Sequence, residues 1–321
     1  MKLRFKLTAA LCSIVFSAAS FADYPDRPVK ILVPFASGGV ADLLARVVAQ
    51  KITEQTGKSV IVDNKTGAGG RIGYEAGAKA QADGYTFTAT DVTYTMMPAL
   101  YSSLPWNAAT DLVPVALVGQ MPFVVAVRTN AGLGTLPQLV AKARATGTKL
   151  NYGSAGVGSV NHVVTELFSK TTGIQMVNVP YRGMGEAISG LLGGSVDLLI
   201  TAMPTAMGQV KGGKIHAIAV TASARSAALP DVPTTSEAGV KFEASNWIGL
   251  SAPNNTPTEA MNWMQTAVAN ALATPEVKQH FLRQGVEAAA GSTRQDFERL
   301  MRSETIRWAE VIRAAKITPE Q

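Results

Sequence analysis

The chain is poor in the groups that do covalent or metal chemistry. Its 321 residues include one cysteine, Cys12, and three histidines, His162, His216 and His280. The cysteine lies in an N-terminal stretch that reads as a signal peptide, so the exported chain is expected to carry no disulfide and no thiol chemistry. Three histidines so widely spaced, with no mature cysteine, do not make a metal-ligand set. Neither metal nor cofactor is expected. Charged residues make up only 16% of the chain, and the net charge of +6 is not concentrated in any Lys/Arg block or basic-aromatic alternation. That argues against a nucleic-acid-binding surface. Beyond residue 22 no apolar run is long enough to span a bilayer; ALVGQMPFVVAV stops at Arg128.

What is present begins with an export pattern. MKLRFK supplies Lys2, Arg4 and Lys6, and a sixteen-residue apolar stretch, LTAALCSIVFSAASFA, ends in Ser20-Phe21-Ala22. This reads as a secretory signal cut after Ala22, so the mature chain is expected to be exported. The alternative, an uncleaved anchor helix, needs about 20 apolar residues. A lipoprotein site needs a small residue before Cys12, where Leu11 stands. Cleavage would lower the net charge from +6 to +3, because three cations and no acids leave with the signal.

The remaining length suits about two domains. Short β-rich runs alternate with helical patterns: VKILVPF then ADLLARVVAQKITEQTG, KLNYGS then GVGSVNHVVTELFSKTTG, QMVNVPY then GMGEAISGLLGG, SVDLLIT then TAMGQVKGG. LVPVALVGQMPFVVAV reads as one or two strands, and the chain beyond Pro257 is mainly helical. The fold class is α/β with mainly parallel sheets. The strand, glycine loop and helix of residues 29–50 recur at 149–170, so each half opens its own sheet. Ligands bind such sheets at the carboxyl ends of strands, where loops meet helix N-termini.

The loops decide the chemistry. VPFASGGVADLLAR lacks the Lys-Ser/Thr of a P-loop and is not GxGxxG. Gly38 and Gly39 permit close backbone approach, and the N–H groups of Val40 and Ala41 start a helix without intrahelical partners. A carboxylate there gains hydrogen bonds and the helix dipole. Taken alone, the loop fits an anion cradle or an ordinary strand–helix turn equally; Asp42 would repel an anion and is expected to brace the loop. The second loop, Gly153 to Ser159, adds the Ser154 and Ser159 hydroxyls, with His162 one turn into the helix. An exported esterase would use Ser154 or Ser159 as nucleophile and His162 as base. Against it, Tyr152 stands where the G-x-S-x-G elbow needs its first glycine. In VPYRGMGEAI, Tyr181 and the amides of Gly183 and Met184 could reach a cleft. Arg182 more often faces solvent. Asp197 reads as a buried structural carboxylate.

In this order, YPDRPVKILVPFASGGVADLLAR, VDNKTGAGGRIG, DGYT, LVPVALVG, LNYGSAGVGSVNH, VPYRGMGEAI, GGSVDLLI, GGKIHAIAVTASARSAALPDVPTTSEAG and NWIGLSAPNNTP resemble the extracytoplasmic solute receptors of tripartite tricarboxylate transporters, also called Bug proteins. The resemblance covers essentially the whole mature chain. It implies a periplasmic-binding-protein-like clamp of two α/β lobes with the hinge crossed twice. Residues 23–123 plus 249–321 would form one lobe and 124–248 the other. The ligand would be a small organic mono-, di- or tricarboxylate, and the receptor, a monomer, would deliver it to a membrane permease or a sensor protein. One carboxylate would be held through backbone amides and water by Phe35 through Ala41, including Ser37, Gly39 and Val40, and by Ser154 through Ser159, including Gly158, with His162 behind. Thr90 and the loop after YTFTAT, and Tyr181 through Gly183, would line the sides. Ala41 departs from the Ser or Thr often found there, which removes a hydroxyl donor. Phe35, Tyr94, Met203 and Trp247 are candidate walls for an apolar, aromatic ligand body. The signal peptide and the lack of a helix-turn-helix argue against the similarly bilobed LysR-type regulators.

Overall fold

The computed structural model describes residues 24–146 and 149–318. The expected signal peptide lies outside the described residues. The chain opens with β1 (Val29–Val33), α1 (Val40–Thr56), β2 (Val60–Asn64), α2 (Arg71–Ala78), β3 (Thr86–Asp91) and α3 (Val92–Leu100). One long strand, β4 (Leu112–Arg128), leads to α4 (Leu136–Thr146), β5 (Leu150–Ser154), α5 (Val160–Thr172), β6 (Met176–Pro180), α6 (Met184–Gly193), β7 (Leu198–Ala202), α7 (Met203–Lys211) and β8 (Ile215–Val220). The return strand β9 (Ser245–Pro253) precedes α8 (Thr258–Ala273), α9 (Pro275–Arg283), β10 (Glu287–Ala288) and α10 (Arg294–Ala314). Among the described residues no helix is long and apolar enough to cross a membrane.

Local rules explain most of these elements. In α1, Val40, Leu44, Val48 and Ile52 recur at helical spacing and are buried against the sheet. The helix stops where Gly57 takes the left-handed conformation (φ 69°) and its N–H reaches the Thr53 carbonyl. Helix α3 is not anticipated by pattern. Val92, Thr93, Tyr94 and Thr95 are weak helix formers, and Pro98 sits inside. It forms because Asp91 caps it, accepting from the Thr93 N–H at 2.9 Å, and because residues 92–97 are all buried.

The strands run β2-β1-β3-β9-β4-β7-β5-β6, with β8 and β10 also on β4. The sheet is mixed, which corrects the expectation of mainly parallel pairing. β1 pairs in parallel with β2 and β3, and β5 with β6 and β7. β4 and β9 are antiparallel to each of their neighbours. These are the strands that run between the halves, and a chain that leaves one half and comes back must reverse direction. β4 pairs with β9 from Leu112 to Pro122, and with β7 and β8 from Phe123 onward. β9 pairs with β4 from its first residue, Ser245, and with β3 from Ile248. Two α/β halves thus share one long strand, and the carboxyl ends of β1, β3, β5 and β7 meet between them.

Candidate ligand-binding cleft

The loops after β1, β5 and β6 close on one another across the gap between the halves. The Ala36 N–H donates to the Arg182 carbonyl at 3.3 Å. The Tyr101 hydroxyl donates to the Val157 carbonyl at 3.2 Å, and the Val160 N–H donates to Thr93 Oγ1 at 3.0 Å. The approach is close enough to need bare backbone. A Cβ added at Gly185 in α6 would stand 2.5 Å from the Ser37 carbonyl oxygen.

Behind these contacts lies a cavity of about 20 Å³ with walls from both halves. Phe35, Gly39, Val40, Ala41, Asp91 and Asn246 come from one side, and Ala155, Val160, Asn161, Met184, Thr201, Ala202 and Thr205 from the other. As it stands it has room for one water-sized group. A crevice of about 430 Å³ shares Ala155 with it and runs outward past Gly69, Val157, Tyr181 and Arg182.

The cavity has a donor pole. Gly39, the residue before α1, makes no side-chain cap, so the first amides of a 17-residue helix are left for other partners. Across from it, the buried hydroxyls of Thr201 and Thr205 have no hydrogen-bond partner among the described residues. Two unpartnered hydroxyls beside an uncapped helix N-terminus make a recess built for an anion, because each such group is costly to leave unbonded.

Asp42 does not spoil that pole. It is 3% exposed and turns into its own loop, accepting from the Gly38 N–H (3.0 Å), Arg46 Nε (2.9 Å) and Asn64 Nδ2 (3.0 Å). Burial opposes its charge, but the Arg46 guanidinium, the Gly38 N–H and the Asn64 amide outweigh burial and hold the carboxyl below its usual range. Asp42→Asn is expected to destabilise the fold by about 1–3 kcal/mol at neutral pH, the cost of weakened charge-assisted bonds at a buried site. The folded pKa is depressed, so this contribution is present above the unfolded pKa and lost as pH falls through the folded one. Urea unfolding should therefore show the gap between wild type and variant closing as pH drops below about 3.9.

The residues singled out from sequence divide sharply by position. Phe35, Gly39, Val40 and Ala41 line the cavity, and Tyr181 lines the outer crevice. Ser37 is exposed and offers its carbonyl to α6. The second glycine loop reaches the cavity through Ala155 and Val160, while its serine and histidine side chains turn to backbone amides nearby. Ser154 Oγ accepts from the Gly156 N–H (3.3 Å), and Ser159 Oγ accepts from the His162 N–H (3.4 Å). His162 Nδ1 accepts from the Gly158 N–H (3.2 Å). Ser159 caps the helix that follows, and Thr93 accepts from the Val160 N–H across the cleft. Ser154 and Ser159 are fully buried, so neither is placed as an accessible nucleophile. Gly183 caps α6 against Ala36. Thr90 is buried against Ser251, 2.9 Å between hydroxyls.

The apolar wall is corrected by packing. Tyr94 sits between the Tyr74 and Trp106 rings, at 5.2 and 6.5 Å, away from the cavity. Trp247 packs edge-on against Phe297 of α10 at 5.3 Å, and Met203 is buried beside Gly285. Of the four aromatic and methionine candidates, Phe35 alone faces the cavity. Arg182 is exposed and pairs with Glu186. Asp197 is half-buried and accepts from the Asn151 N–H at 2.8 Å. Sequence reasoning passed over Thr201, Thr205, Asn161 and Asn246. Thr201 is the last residue but one of β7 and Asp91 ends β3, so the rule that ligands meet strand carboxyl ends was the signal that could have found them.

Comparison with known proteins adds the family. The family model described as "Tripartite tricarboxylate transporter family receptor" matches residues 44–317. Protein BugT of Bordetella pertussis is 35% identical over 293 residues, covering 90% of this chain and 90% of BugT. The periplasmic binding protein BugD superposes with a TM-score of 0.88 at 31% identity, covering 93% of this chain and 100% of that one. R. palustris Rpa4515, solved with adipate, has a TM-score of 0.88 at 34% identity, again over 93% and 100%. Fold, cleft and matches along nearly the whole length agree, and the chain belongs to the tripartite tricarboxylate transporter receptors, the family that includes the Bug proteins.

Proposed function

We propose that the protein is a periplasmic receptor that captures a small organic carboxylate by clamp closure and presents it to a membrane permease or a sensor protein. The observation that carries this reading is the donor pole: an uncapped α1 N-terminus facing the unpartnered Thr201 and Thr205 hydroxyls. One carboxylate end seats there, and the rest of the ligand points toward the crevice beside Tyr181. The adipate found with Rpa4515 supports a ligand of this class.

The two lobes meet at Pro122–Phe123, where β4 changes partners, and at Ala244–Ser245, where β9 begins. Opening at these two crossings lets a ligand in. The donors sit on both lobes, so a carboxylate that touches both favours the closed form; a ligand without such differential contacts cannot shift the equilibrium. The action in this reading is capture without turnover, supported by the burial of Ser154 and Ser159, each of which accepts from a backbone amide, of Gly156 and His162 respectively.

A thermal-shift screen of the chain without residues 1–22 tests this. The panel spans aliphatic di- and tricarboxylates, amino acids, and aromatic mono- and dicarboxylates. A ligand at 100 times its dissociation constant should stabilise by about 2.7 kcal/mol, and the compound should be recovered unchanged. Silence across the panel, or a chemically altered compound, would refute the reading.

A further inference from the structure

The charge lining the cavity is of one sign. Asp91, 3% exposed, is the charged side chain among the lining residues, and no Lys, Arg or His joins it there. Its position is fixed by two bonds to Oδ1, from the Tyr74 hydroxyl (2.7 Å) and the Thr93 N–H (2.9 Å). These orient the carboxyl and provide no counter-charge. The lining therefore carries two kinds of pole: a donor pole, in the α1 amides and two threonine hydroxyls, and an acceptor pole, in the Asp91 carboxyl.

This polarity bears on the ligand, given the receptor reading above. A dicarboxylate seated on α1 would share a water-poor space with a third carboxyl group, and like charges buried together are costly. A ligand with an ammonium group beside its carboxylate would satisfy both poles. We propose that Asp91 selects amino-substituted carboxylates, with the ligand carboxylate on the α1 amides and the Thr201 and Thr205 hydroxyls, and the ligand ammonium donating to Asp91. Burial pushes the Asp91 carboxyl above its usual range, against the bonds from Tyr74, Thr93 and Asn246. That is the behaviour of a carboxylate whose charge lacks a partner.

The test compares ligands that share a skeleton and differ in one group. Titration calorimetry would measure succinate, malate and aspartate, and the corresponding unsubstituted, 2-hydroxy and 2-amino acids of the five- and six-carbon series. At the preferred length the amine should bind at least tenfold tighter than the unsubstituted diacid, with the hydroxyl between. Asp91→Asn keeps an acceptor for the Thr93 N–H and should abolish the amine's advantage while improving the unsubstituted diacid. A wild type that prefers the unsubstituted diacid overturns the assignment even if the variant fails to fold. So does an amine advantage that survives in Asp91→Asn. Both leave the carboxylate receptor standing. Absence of binding by every compound, in a panel extended to tricarboxylates and aromatic acids, overturns the receptor reading and this one with it.

Discussion

Replacing Thr201 and Thr205 together by valine is expected to weaken carboxylate binding about 100-fold and to leave the free protein as stable as before, or more so. Both hydroxyls are buried and unpartnered on the cavity wall. A hydrogen bond to a charged group contributes about 1.5–3 kcal/mol, which is at least about tenfold in affinity per hydroxyl. In the free protein the same hydroxyls hold no bond, so valine removes only a burial penalty. The opposite signs are the useful part. Calorimetric affinity should fall while the thermal midpoint of the unliganded variant holds or rises. A loss of stability with affinity unchanged would make these threonines packing groups and move the anion site elsewhere.

Gly185→Ala should open the clamp without harming either half. Gly185 lies inside α6, where alanine is favoured over glycine by about 1 kcal/mol. The atoms nearest its missing Cβ all belong to the other side of the cleft, namely the Ser37 carbonyl at 2.5 Å and Gly38 at 3.4–3.5 Å. A methyl group there forces the β1–α1 loop and α6 apart, and with them the Ala36–Arg182 hydrogen bond. Ligand affinity should fall at least tenfold, mainly through faster dissociation, while unfolding of the free protein is unchanged or later. Gly193→Ala, in the same helix with nothing near its Cβ, is the control and should bind normally. Equal binding by both variants would mean that closure at this contact does not hold the ligand.

The two-halved α/β plan was legible because it rests on local patterns. The core stripe of α1, its stop at Gly57 and the repeat of strand, glycine loop and helix are all visible in sequence. The first loop was legible for the same reason, since a helix start without a capping side chain can be seen in Gly38-Gly39-Val40. The second loop was legible only in part. Ser154, Ser159 and His162 are visible as donors and acceptors, but their partners are not. Val160 finds its acceptor on Thr93, in a helix that propensity opposes and tertiary burial enforces. Thr201 and Thr205 failed to stand out because an unpartnered hydroxyl is a property of the folded surroundings, and a threonine at a strand end looks like any other. Tyr94, Met203 and Trp247 were drawn to the site by residue type, yet Tyr94 and Trp247 pack against rings of their own half, and Met203 is buried beside Gly285 of the other. The mixed sheet was hidden because strand direction at β4 and β9 depends on chain return over more than a hundred residues.

The most direct measurement is a crystal structure of the chain with a carboxylate found by the thermal-shift screen. The account predicts one ligand carboxylate within hydrogen-bond distance of the Val40 and Ala41 amides and of Oγ1 of Thr201 or Thr205. The Ala36–Arg182 contact should be kept. A carboxylate seated instead on the α5 loop at Ser154 and Ser159, or in the groove beside Trp106 and Arg302 on the far side of α3, would contradict it.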